Sequence, residues 1–132
     1  MSHAQIHRLN DQQSQQHNEA LIKLTVLLYQ IDGIVTLTEQ DYFQELVDNM
    51  PWHSGISKEA FINDAIHQAR AAIDSLKAPD FIRALSDELN IDAAKTLEVA
   101  MAITKADGER SEEEVELLAL LANRVLAKGL VA

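Results

Sequence analysis

Two stretches of the chain gather carboxylates, a hydroxyl and a glycine at one spacing. The first is Asp32-Gly33, Thr36 and Glu39; the second is Asp107-Gly108, Ser111 and Glu114, 75 residues further on. Each follows an apolar helical run and opens another. An aspartate at the end of a helix faces carbonyls that carry roughly half a negative charge, so a basic residue would be the stabilising choice there. Two chemistries fit. Asp-Gly forms turns and Asp caps locally, while Thr36 with Glu39 and Ser111 with Glu114 have the spacing of capping boxes. Alternatively, Asp32, Glu39, Asp107 and Glu114, with helix-end carbonyls, offer hard oxygen ligands to a divalent cation such as Ca²⁺ or Mg²⁺. The second hinge is the more acidic, with Glu109, Glu112, Glu113 and Glu116 around a single Arg110. Part of that density is ordinary, because acids favour the first turn of a helix. The pattern is not an EF-hand, whose glycine stands at the sixth position rather than directly after the first Asp.

The elements that must position these residues are helical. Ala, Leu, Glu, Gln and Lys dominate, and two prolines and four glycines leave little room for strands. Leu21, Leu24, Leu28 and Ile31 recur at helical spacing over about 18–31, with Ile22 and Val26 widening the stripe. The next helix starts after Thr36, buries Tyr42, Phe43, Leu46, Val47 and Met50, and ends at Pro51. A third spans 57–76, with Phe61, Ile62, Ala65, Ile66, Ala69, Ile73 and Leu76 on one face and Ile56 stapling its start. Pro79 opens a short helix reaching Leu89. A fifth runs from about 90 to Ala106, with Leu97, Ala100, Met101 and Ile103 inward. The last begins at Ser111 and carries Val115, Leu118, Leu121, Val125 and Leu126. Short links between amphipathic helices imply an all-α, compact bundle of about six antiparallel helices. The two hinges suggest an internal pseudo-repeat of a helix–hinge–helix unit.

At 132 residues the chain is read as a polar, Gln- and His-rich N-terminal arm over 1–18 and a single helical domain over 19–132. With no cysteine, disulfides and thiolate metal sites are excluded. The net charge of −10 argues against binding nucleic acid or anionic lipid and suits a cation or a basic partner. No apolar run approaches the roughly 20 residues that span a bilayer, and Met1 to Gln16 lacks a signal peptide's apolar stretch. The expected location is cytoplasmic, without membrane insertion. His3 and His7 stand four apart in the arm, where incidental placement outweighs metal ligation; His17, His53 and His67 read as surface or interface residues. Trp52 reads as covering the core edge rather than displayed to a partner. No nucleotide loop or catalytic triad is present, so an enzyme is not expected.

The stretches "LLYQIDGIVTLTEQDYF" and "VAMAITKADGERSEEEVELLALLA" resemble the tellurite-resistance TerB family and the wider TerB-like group, which includes the membrane-proximal N-terminal region of a J-domain co-chaperone. The resemblance covers about residues 20–128 and is specific at the two hinges. It implies an all-helical fold with internal pseudo-symmetry and a non-enzymatic role near a membrane-associated stress-response system. It also implies metal binding by acidic residues, here Asp32, Glu39, Asp107 and Glu114. The apolar Ile34, Val35 and Leu37 depart from the pattern at the first hinge. The expected function is an accessory protein of tellurite, metal or envelope stress; the alternative is a co-chaperone-like interaction module whose hinges are structural caps. A protein partner is expected on either reading, and the resemblance implies that it is membrane-associated.

Overall fold

A computed structural model describes residues 11–31, 33, 35–105 and 110–126. Among these there are helices and no strands. In chain order they are α1 (Asp11–Gln30), α2 (Leu37–Asp48), α3 (Lys58–Asp74), α4 (Ala78–Ala84), α5 (Ser86–Leu89), a 3₁₀ turn (Asn90–Asp92), α6 (Ala93–Lys105) and α7 (Glu112–Leu120). A final π turn (Leu121–Val125) follows α7. None of the described helices is long and apolar enough to cross a membrane.

α1 is the axis of the bundle. Leu21, Ile22, Leu24, Val26, Leu27 and Leu28 are all buried, so the helix is enclosed around its whole girth rather than along one stripe. It packs against α2, α3, α5 and α6. Where a helix is enclosed in this way, as α1 is over residues 20–30 apart from the half-buried Lys23, its neighbours need only one apolar face each.

The helix begins earlier than the apolar pattern suggests. Residues 11–18, read as part of a polar arm, are its first two turns, and Gln15 and His17 are buried. Polar contacts hold this end down. Gln15 Oε1 accepts from the His53 N–H at 2.7 Å, and Asn18 Nδ2 donates to the Pro51 carbonyl at 3.0 Å. Both tie α1 to the loop after α2. Trp52 in that loop is half-buried; its indole N–H donates to the Ile56 carbonyl at 2.8 Å and its ring lies 5.3 Å from that of Phe61. It covers the core edge as the sequence suggests, and Ile56 is exposed.

The structure corrects the sequence reading at several positions. Met101 and Val115 are exposed rather than inward. The short helix after Pro79 breaks at Leu85, and α6 starts only after the 3₁₀ turn. The last helix widens at its end, where the Leu126 N–H reaches the Leu121 carbonyl five residues back at 2.8 Å. Leu76, assigned to the buried face of α3, is 90 % exposed with φ +61°.

That last correction has a clear cause. The Leu76 N–H donates to the Ile73 carbonyl at 3.1 Å and the Lys77 N–H to the Ala72 carbonyl at 2.7 Å. This pair of bonds is a Schellman motif, whose left-handed position normally holds glycine. Leucine there strains the backbone by roughly 1–2 kcal/mol. Leu76→Gly is therefore expected to stabilise the protein by about 1 kcal/mol and raise Tm by about 4 °C, read by thermal denaturation. An unchanged or lower Tm would mean that the leucine side chain contributes more than its strain.

Candidate functional site

Both hinges are closed by complete capping boxes. At the first, Thr36 Oγ1 accepts from the Glu39 N–H at 3.1 Å, and Glu39 Oε1 accepts from the Thr36 N–H at 2.9 Å and its hydroxyl at 3.1 Å. At the second, Ser111 Oγ accepts from the Glu114 N–H at 3.1 Å, and Glu114 Oε1 accepts from the Ser111 N–H at 2.7 Å. The glutamates are 1 % and 2 % exposed, an unusual depth for a surface helix cap. Gly33, with φ +81°, turns the first hinge and donates to the Gln30 carbonyl at 3.0 Å. Only glycine adopts that conformation without strain.

The hinges agree locally at the 75-residue spacing. α1 ends at Gln30 and α6 at Lys105; α2 starts at Leu37 and α7 at Glu112. They differ in how the preceding helix is closed. Arg110 donates from Nε to Thr104 Oγ1 at 2.9 Å and from Nη2 to the Met101 carbonyl at 3.0 Å. A cation thereby meets the negative end of α6. In the first hinge the matching position is Val35, and Tyr29 stands where Thr104 would. Burial raises the Tyr29 phenol pKa, and the charge of nearby Glu39 adds to the rise.

Of the candidate ligands, Glu39 and Glu114 are thus placed inside caps, and Asp32 and Asp107 lie outside the described residues. Among the described residues no three His, Asp or Glu side chains are arranged to hold a metal ion. His3 and His7 also lie outside them; His53 and His67 are exposed, as expected.

His17 is the exception among the histidines. It is 4 % exposed, and its Nε2 lies 2.9 Å from Thr96 Oγ1, joining α1 to α6. The Thr96 oxygen lies 2.9 Å from both the Leu89 and Asp92 carbonyls. Its hydroxyl proton serves those acceptors, so the imidazole Nε2 is the donor to Thr96. Desolvation lowers the His17 pKa below 6.5, outweighing the opposing pull of Asp92; Lys95 adds slightly to the lowering. The unfolded chain therefore takes up a proton that the folded chain refuses. This contribution to stability is complete above about pH 6.5 and is lost as pH falls toward the folded value. Urea midpoints measured from pH 7.5 to 5 should fall more steeply for the native chain than for His17→Gln. Parallel curves would remove the assignment.

A second surface feature lies beside the α3–α4 turn. A cleft of about 260 Å³ is floored by Ile31, Ile73, Pro79 and Leu117, with Leu76 at one lip and Glu113 and Glu116 on the α7 side. Sequence reasoning missed Leu76 because it fitted the helical stripe. The absence of glycine between Asp74 and Pro79, where a helix has to stop, was the available signal.

Comparison with curated proteins and with solved structures finds no match. A family model described as tellurite resistance protein TerB matches residues 18–126, a span that holds both hinges and every helix after the first turns of α1, and the chain belongs to that family.

Proposed function

We propose that the protein is a non-enzymatic accessory protein of the tellurite, metal or envelope stress response that works as an adaptor, docking a partner in the cleft beside Leu76. The observation that carries this reading is Leu76 itself: a large apolar side chain displayed to solvent from a strained position that glycine would fill at lower energy. Strain retained at a surface lip is characteristic of binding sites. Glu113 and Glu116 suit a partner segment with an apolar anchor flanked by Lys or Arg, in keeping with the net charge of −10. On this reading the protein is cytoplasmic and meets its partner at the inner face of a membrane. Affinity capture with the native chain, Leu76→Gly and Glu113→Lys/Glu116→Lys tests it. A partner retained by the native chain and lost by both variants, with unchanged helicity, is the expected result; equal retention by all three refutes the reading.

A second reading is favoured by the depth of Glu39 and Glu114. In this reading Asp32 and Asp107 join the two glutamates in holding Ca²⁺ or Mg²⁺. Calorimetric titration with Ca²⁺, Mg²⁺, Mn²⁺ and Zn²⁺ is expected to give heat that Asp107→Asn reduces. No heat with any ion eliminates the cation.

A further inference from the structure

Away from both hinges, a cleft of about 330 Å³ opens between the first half of α1, the end of α2 and the start of α6. That volume falls at the small end of ligand sites. Its floor is apolar, from Leu21 and Met50, both buried. Lys95 stands on the α6 wall near His17, and Glu45 on the α2 wall near Tyr42.

Of the polar groups lining this cleft, His17, Asn18 and Asn49 are hydrogen-bonded and three others are uncommitted. Among the described residues, the Lys95 ammonium, the Glu45 carboxylate and the Tyr42 hydroxyl have no hydrogen-bond partner. Lys95 and Glu45 are not paired with each other: one ion pair within 4.0 Å occurs among the described residues, between Arg83 and Asp80. The backbone poles nearby are already capped, the start of α6 by Asp92 and the end of α2 by Lys58, which donates to the Val47 carbonyl. The two side-chain charges are therefore not consumed as helix caps. A cation on one wall and an anion on the other, separated above an apolar floor, match a molecule with the same three parts in reverse.

We infer that this cleft binds a small zwitterion with an aliphatic body, of the chemical class of a free apolar α-amino acid. The ligand carboxylate meets Lys95, its ammonium meets Glu45 and the Tyr42 hydroxyl, and its side chain rests on Leu21 and Met50. Glu98, which also acts on Tyr42, adds to the negative side. A ligand with a single charge leaves one wall unanswered, so selectivity follows from having both.

The test uses the full chain and L-leucine, with N-acetyl-L-leucine and L-leucinamide as single-charge controls, followed by amide chemical shifts in NMR titration. Leucine is expected to give saturable shifts around residues 17–21, 42–50 and 95 with a Kd of about 1 mM or tighter. Both controls should bind at least about tenfold more weakly. Glu45→Gln should erase the preference over N-acetyl-leucine, and Lys95→Gln the preference over leucinamide. Both side chains are exposed, and circular dichroism checks that the fold is kept. No saturable shifts with leucine, or equal binding of all three compounds, overturns the inference. Leu76→Gly should leave leucine binding unchanged, which separates this site from the partner cleft.

Discussion

Leu27→Ala is expected to lower the unfolding free energy by about 3–4 kcal/mol. Leu27 has no exposure and belongs to the helix that every major neighbour packs against. Truncation removes buried methyl groups and leaves a void, because helices on several sides cannot all move inward at once. Domains of this kind are held by only about 5–15 kcal/mol in total. The urea midpoint should fall sharply with an unchanged slope, and Tm should drop by roughly 12–16 °C. A loss below about 1 kcal/mol would mean that α1 is not enclosed on all sides.

Glu39→Ala should destabilise by about 2–3 kcal/mol, and Glu114→Ala by a similar amount. Each change strips the acceptor from an N-cap amide at a buried hinge, and at the first hinge it also strands the Thr36 hydroxyl. Glutamine can serve the same position of a capping box, so Glu39→Gln should lose less than half as much. The pair separates the two functional readings. If the glutamates act as caps alone, millimolar Ca²⁺ or Mg²⁺ leaves the Tm of the native chain and the Gln variant equally unmoved. If a cation sits in the hinges, it raises the native Tm by mass action and Glu39→Gln blunts the rise.

The sequence was a good guide to the hinges and a poor one to the surfaces. Thr36, Glu39, Ser111 and Glu114 announce capping boxes because the partners are three residues apart, and such bonds form within one turn of chain. The apolar run of α1 was equally legible, although its full enclosure was not. The polar residues before Asn18 gave no sign of order, since what pins them is a backbone amide at His53 and a threonine at position 96. Beyond the hinges, the halves diverge: α2 has 12 residues and leads into the Trp52 loop, whereas α7 has 9 and runs into a π turn.

By itself, then, the sequence determined an all-helical chain, where most helices begin and end, and which residues close the two acidic turns. Those properties depend on propensities and bonds between residues a few positions apart. Only the tertiary structure decided that His17 is buried against Thr96, that Leu76 stands out in solvent, and that Lys95 and Glu45 face a common cleft. Burial and opposed charges depend on residues brought together from distant parts of the chain, and helical periodicity carries no record of which faces will meet.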